Sequence, residues 1–170
     1  KVVGFYSAAY KLFEVAIIFP SSIMLVLFPT LVEEYHSNHP QFKKSSKKAL
    51  GLFFLVGGGI ALTLWAFSPW IITIIFGDKF SPSIAVLEVL SGAIFLFFLN
   101  FLLANILISS GRESINTWNL VGATVANITL NLVLIPQYGA IGAAWSTLFC
   151  EAVLIFALGI EVRKCISSNS

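Results

Sequence analysis

Charge is scarce in this sequence. Asp, Glu, Lys and Arg make up 11% of its 170 residues, against about 25% in a typical soluble domain. With 58% hydrophobic residues, one water-soluble core of this size cannot hide so much apolar surface. Cysteine is nearly absent. Cys150 lies in an apolar run and Cys165 near the C-terminus; on one helix they would stand about 22 Å apart, beyond disulfide reach. His36 and His39 share a polar segment and read as solvated residues, and no C-x-x-C or Cys/His cluster occurs. Neither a metal nor a cofactor is expected, and no feature calls for nucleic acid. Period-two alternation is also missing, which excludes strands and a membrane β-barrel. The chain opens at Lys1 with no Met and no signal-peptide pattern, and reads as a piece of a longer protein.

What the sequence does hold is long apolar runs. A bilayer core about 30 Å thick needs about 20 mostly apolar residues per helix, and five stretches qualify: residues 4–35, 49–67, 82–110, 114–135 and 140–162. The expected fold is all-α, a polytopic transmembrane helix bundle over residues 1–165 with a disordered Ser-rich tail at 166–170. Pro20 removes a backbone bond in mid-span and predicts a kink, and Pro29 a second bend near the exit. A basic loop is expected from His36 to Lys48. Gly57, Gly58 and Gly59 sit at the middle of the second span and permit bending or close packing; with Pro20 they are the hinge candidates. Ser68-Pro69 breaks that helix, and Trp70 to Phe76 reads as a short continuation ended by Gly77. Trp65 and Trp70 suit the interfacial aromatic belt. Gly111 stops the third span and Pro136 the fourth. Phe95, Phe97, Phe98 and Phe101 are expected to face lipid.

Five alternating spans sort the cations into two sets. Lys43, Lys44, Lys47, Lys48, Arg112, Arg163 and Lys164 fall on one side, Lys1 and Lys79 on the other, and Lys11 lies within a span. The positive-inside rule then puts the N-terminus outside and the C-terminus in the cytoplasm. The four lysines around Ser45-Ser46 read as an anchor to anionic membrane lipid.

Ionisable groups at membrane depth are costly and face a bundle interior or a wet cavity. Here they are Lys11, Glu14, Glu88 and Glu151; Glu88, about one turn into its span, fits an interfacial position equally well. Lys11 and Glu14, three apart, are placed to pair. Ser7, Tyr10, Lys11, Glu14, Ser21 and Ser22 fall within an arc of roughly 120° on the first helix, as do Asn116, Asn119, Asn127 and Asn131 on the fourth. Two helices with one polar face each suggest a shared hydrophilic interior. Each asparagine also fits a plainer role as interhelical hydrogen-bonding glue. Asn100 and Asn105 of the third span point to different sides. Glu14 and Glu151 are the candidate ion-coupling carboxylates.

Four segments carry a family resemblance. Val3-Gly4-Phe5-Tyr6-Ser7-Ala8-Ala9-Tyr10-Lys11-Leu12 resembles the opening of the second half of polysaccharide-export flippases. Leu27-Phe28-Pro29-Thr30-Leu31 is similar to the exit of that helix, and Pro69-Trp70-Ile71-Ile72-Thr73-Ile74-Ile75-Phe76-Gly77 to a later stretch ending in Phe-Gly. Ile135-Pro136-Gln137-Tyr138-Gly139-Ala140-Ile141-Gly142-Ala143-Ala144 is similar to the family's Pro-x-Tyr-Gly turn. The order matches too, over nearly the whole chain. The resemblance, to the O-antigen and polysaccharide flippases of the superfamily that also holds multidrug exporters, implies a transporter and not an enzyme. It implies a C-terminal half: a fragment of a two-bundle exporter whose partner is the missing N-terminal bundle. The implied substrate is a lipid-linked oligosaccharide on polyprenyl pyrophosphate, turned across the cytoplasmic membrane by alternating access. Such cavities are expected to be strongly cationic, whereas Lys11 is the one membrane-depth cation here. Two other readings stay open: a cation-coupled multidrug exporter, using Glu14 or Glu151, and a membrane-embedded polyprenyl-sugar enzyme, for which the loops offer only Asp78, Glu113 and the two histidines.

Overall fold

The structure is a computed structural model that describes residues 2–167; Lys1 and residues 168–170 lie outside it. Among the described residues the chain is helical, with no strand: α1 (Val2–Ser37), α2 (His39–Ala66), α3 (Ser68–Phe76), a 3₁₀ turn (Asp78–Phe80), α4 (Ser83–Ser109), α5 (Glu113–Tyr138) and α6 (Ala140–Ser167). Five of them, α1, α2, α4, α5 and α6, are long and apolar enough to cross a membrane. A helix satisfies its own backbone polar groups, which is what hydrocarbon demands.

The expected basic loop is not a loop. Asn38 alone separates α1 from α2, and the lysine-rich segment forms the first turns of α2. The cause is local: the Asn38 side chain accepts from the Gln41 amide at 3.2 Å and a proline sits in the first turn, both helix-starting devices. Phe42, Ser46 and Ala49 then bury one face, and the Tyr35 and Phe42 rings meet at 5.2 Å. The four lysines occupy the exposed faces of this extension.

At 36 residues, α1 is about 54 Å long, well beyond the hydrocarbon thickness. It passes Pro20 and Pro29 without interruption. Beside Pro20, the hydroxyls of Ser21 and Ser22 donate to the carbonyls of Ile17 and Ile18 at 3.1 and 2.9 Å. These bonds satisfy the two hydroxyls within the helix itself.

Pro136 does not end α5 either; the helix runs on to Tyr138. The stop is Gly139, at φ 62°, whose amide still donates to the Ile135 carbonyl at 2.8 Å. Proline so near a helix end forfeits little, whereas left-handed φ ends the helix. At the far end α6 continues through Ile166 and Ser167, both expected in the tail.

The core is built around α4, which packs against α1, α2, α3, α5 and α6. In its most apolar window 61% of residues are buried, against 0% for α5, which touches the bundle mainly through α6. This corrects the expected lipid exposure of the α4 phenylalanines. Phe98 is fully buried, and Phe95 and Phe97 pack on Phe54 and Phe13 at 5.2 and 5.8 Å. Phe98 sits where α2 comes closest: a Cβ built on Gly57 would lie 2.7 Å from its Cβ. Small residues permit this approach between membrane helices. Gly57 is therefore a packing position, while Gly59 would meet nothing within 4 Å.

The ends sort as alternating spans require. Phe5, Pro82 and Tyr138 line one cavity at one end. Lys43, Lys47 and Arg163 line another, joining the start of α2 to the end of α6.

Candidate functional site

Polar side chains gather along the middle of α6 and between them address α1, α4 and α5. Ser146 accepts from the Asn127 amide of α5 at 3.1 Å. The Thr147 hydroxyl donates to the Ala143 carbonyl at 3.1 Å and interacts with Tyr6 of α1. Cys150 interacts with Asn127 as well. Glu151 meets α4: the Asn100 amide donates to its carboxyl oxygen at 2.7 Å and to its backbone carbonyl at 2.9 Å. Asn131 extends the chain by donating to the Asn127 side-chain oxygen at 2.9 Å. In hydrocarbon these groups lack water, so the bonds that cross between helices also fix which helix lies beside which.

The α5 asparagines differ in surroundings along the helix. Asn127 bonds across to Ser146 of α6, whereas Asn131 bonds to Asn127 within α5. Asn119 borders a cavity of about 190 Å³ between α5 and α6, with Trp118, Phe149 and Cys150 among its walls. Asn116 lies half-buried in the second turn of α5.

The α1 stripe behaves otherwise. Lys11, Glu14, Ser21 and Ser22 are exposed, on the side turned away from Ala9, Phe13 and Ala16, which meet the core. Tyr10 marks the border, half-buried and stacked between Tyr6 and Phe13 at 5.4 Å from each. Lys11 and Glu14 do not pair; among the described residues the one ion pair joins Lys164 to Glu161 at 2.6 Å. Glu14 is thus an exposed carboxylate, and Glu151 an inward one held by Asn100. Near the α3 end Glu88 is exposed and accepts from the Ser68 hydroxyl at 3.3 Å. No cluster of metal-ligating side chains occurs among the described residues.

The structure therefore brings Asn127, Asn131 and Glu151 to one polar seam along α6, in two separate hydrogen-bonded sets, and keeps Lys11, Glu14 and Ser21 on an outer face with Tyr10 at its border. Sequence reasoning missed Asn100, Ser146 and Thr147 as members of that seam. The signal was present: Ser146, Thr147, Cys150 and Glu151 are spaced i, i+1, i+4 and i+5, two neighbouring polar rows within an apolar helix.

Fold and site define a multi-pass α-helical membrane protein with a polar seam inside one bundle and a polar stripe outside it. No family model matches the chain, and no solved structure matches it. It is similar to an uncharacterized membrane protein of Methanocaldococcus jannaschii, 34% identical over 133 residues, which cover 77% of this chain and 26% of that protein. It is also similar to a probable low-salt glycan biosynthesis flippase of Haloferax volcanii, 26% identical over 156 residues, covering 89% of this chain and 32% of that one. The chain thus spans about a quarter to a third of the length of the curated relatives it matches.

Proposed function

We propose that this chain is part of a flippase that carries a lipid-linked oligosaccharide across the cytoplasmic membrane for surface glycan synthesis. The observation that carries the reading is the outer face of α1. Lys11 and Glu14 stand exposed there at membrane depth, and neither is tolerable against lipid tails. A second bundle facing this one would turn the stripe into the wall of a wet passage. The likeness to a glycan biosynthesis flippase supports the same assignment.

The chemistry of the stripe suits the cargo. Sugar hydroxyls drawn through hydrocarbon would each go unsatisfied at a cost of several kcal/mol. Ser21, Ser22 and Tyr10 both donate and accept, and the Lys11 ammonium matches a pyrophosphate. Alternating access is rocking of one bundle against the other, with Pro20 and the open Gly59 as points of give. The O-antigen type of polysaccharide is the finest form of this reading. The orientation proposed is N-terminus outside and C-terminus cytoplasmic, with the α2 lysines, Arg112, Arg163 and Lys164 inside.

The test is export of surface glycan in cells relying on the full-length gene. Lys11→Ala and Glu14→Ala should each abolish export while the protein inserts at normal levels. Export at the wild-type rate by both variants would overturn the assignment. Glu151 favours a second reading for its own role: an inward carboxylate held by one amide fits ion coupling. In that case Glu151→Gln abolishes transport driven by an ion gradient but spares substrate binding.

A further inference from the structure

The basic end of the bundle carries a cleft that the transport reading does not use. It opens between α2, α4 and α6 and has a volume of about 630 Å³, within the range of sites that enclose small molecules. Its walls are apolar, with Leu50 and Phe54 from α2 and Leu103 from α4. Its rim is cationic, with Lys43 and Lys47 from α2 and Arg163 from α6. Helix periodicity explains the pairing. Lys43, Lys47, Leu50 and Phe54 recur at i, i+4, i+7 and i+11, so one face of α2 passes from charge to hydrocarbon along its length. The α6 face does the same in reverse, from Ile155 past Gly159 to Arg163. Both stripes carry their charge at the same end of the bundle.

Nothing acidic borders the cleft. Glu161, the nearest carboxylate in sequence to Arg163, is engaged by Lys164 at 2.6 Å. Glu34, which contacts α2, accepts from Ser45 at 3.0 Å, on the helix face opposite Lys43 and Lys47. The three rim cations form no ion pair among the described residues. An apolar slot capped by unpaired cations is complementary to one kind of membrane component. We propose that this cleft binds an anionic phospholipid, with an acyl chain against Leu50, Phe54 and Leu103 and the phosphate among Lys43, Lys47 and Arg163. The site lies away from the α1 stripe and stands or falls independently of what the protein transports.

The full-length protein, purified in detergent, is titrated with phosphatidylglycerol and with phosphatidylcholine of identical acyl chains, and bound lipid is counted by native mass spectrometry. The wild type should retain one phosphatidylglycerol in preference to phosphatidylcholine. Each cation near an anionic head group contributes about fivefold, so the Lys43→Gln/Lys47→Gln/Arg163→Gln variant should lose on the order of 100-fold of that preference. These positions are at the surface, so the variant should fold. Gly159→Phe plugs the slot, because Gly159 lines it and a Cβ there meets no atom within 4 Å, leaving the ring room to enter, and should weaken both lipids alike. Glycerol phosphate, which lacks acyl chains, should not compete. Equal retention of the two lipids by the wild type, or an unchanged preference in the triple variant, overturns the proposal. So does unchanged binding in a folded Gly159→Phe protein, the result expected if another protein segment fills the cleft.

Discussion

Replacing Asn100 by Leu tests whether the α4–α6 seam holds the bundle together. Leu matches the heavy-atom branching of Asn but is bulkier, so a modest overpacking cost adds to the loss of both amide hydrogen bonds to Glu151, at 2.7 and 2.9 Å. Asn100 is the one hydrogen-bond donor to the Glu151 carboxyl among the described residues. A bond to a charged group contributes about 1.5–3 kcal/mol in water-soluble proteins, while interhelical bonds in membranes average about 0.6 and reach about 1.7 kcal/mol. The larger part of the penalty is the stranded carboxyl, so the expected loss is about 1.5–2 kcal/mol. The double change Asn100→Leu/Glu151→Leu strands nothing and should cost less than Asn100→Leu alone. Unfolding of the full-length protein by SDS in mixed micelles measures both. A loss below about 0.3 kcal/mol for Asn100→Leu, or additive costs in the double variant, would refute the reasoning.

The glycines give a matched pair. A Cβ on Gly142 would run into the backbone of Leu134, with its carbonyl carbon at 2.8 Å, so Gly142→Ala should cost about 1–3 kcal/mol by the same assay. Gly59→Ala meets nothing within 4 Å and should be neutral, or stabilising by up to about 1 kcal/mol from helix propensity. At Gly57 the nearest atom to an added Cβ would be the Phe98 Cβ, at 2.7 Å, so Gly57→Ala should destabilise by about 1–3 kcal/mol in the same assay. Asn127→Ala removes the bonds to Ser146 and from Asn131; it should loosen α5 from α6, seen as faster amide exchange in α5 with α4 unchanged.

Periodicity and span length made the helices legible, because hydrocarbon leaves so few alternatives to a helix. The seam and the lysine-rich turns were less so. Residues 39–48 read as a loop since their polarity masks helix signals that lie in Asn38 and Pro40, and since burial of Phe42 depends on α1 folding back. Phe98 read as lipid-facing because apolar residues look alike to lipid and to core; only the glycine opposite it on α2 decides. The Asn face of α5 was visible as an arc, but whether an arc meets water or another helix depends on the neighbour, and Ser146 is far from Asn127 in sequence. The α1 stripe was legible as polar, and the helices packed around α1 put it on the outside.

Cysteine accessibility along that stripe is the most direct test. In full-length protein with Cys150 and Cys165 replaced by Ala, single changes Lys11→Cys, Glu14→Cys and Ser21→Cys are treated in intact membranes with a charged, membrane-impermeant maleimide, alongside Val125→Cys and Ile128→Cys on the exposed apolar face of α5. A wet passage between two bundles predicts rapid labelling of the three α1 positions and none at the two α5 positions. Labelling of α1 as slow as that of α5 would place the stripe in lipid and contradict the transport account.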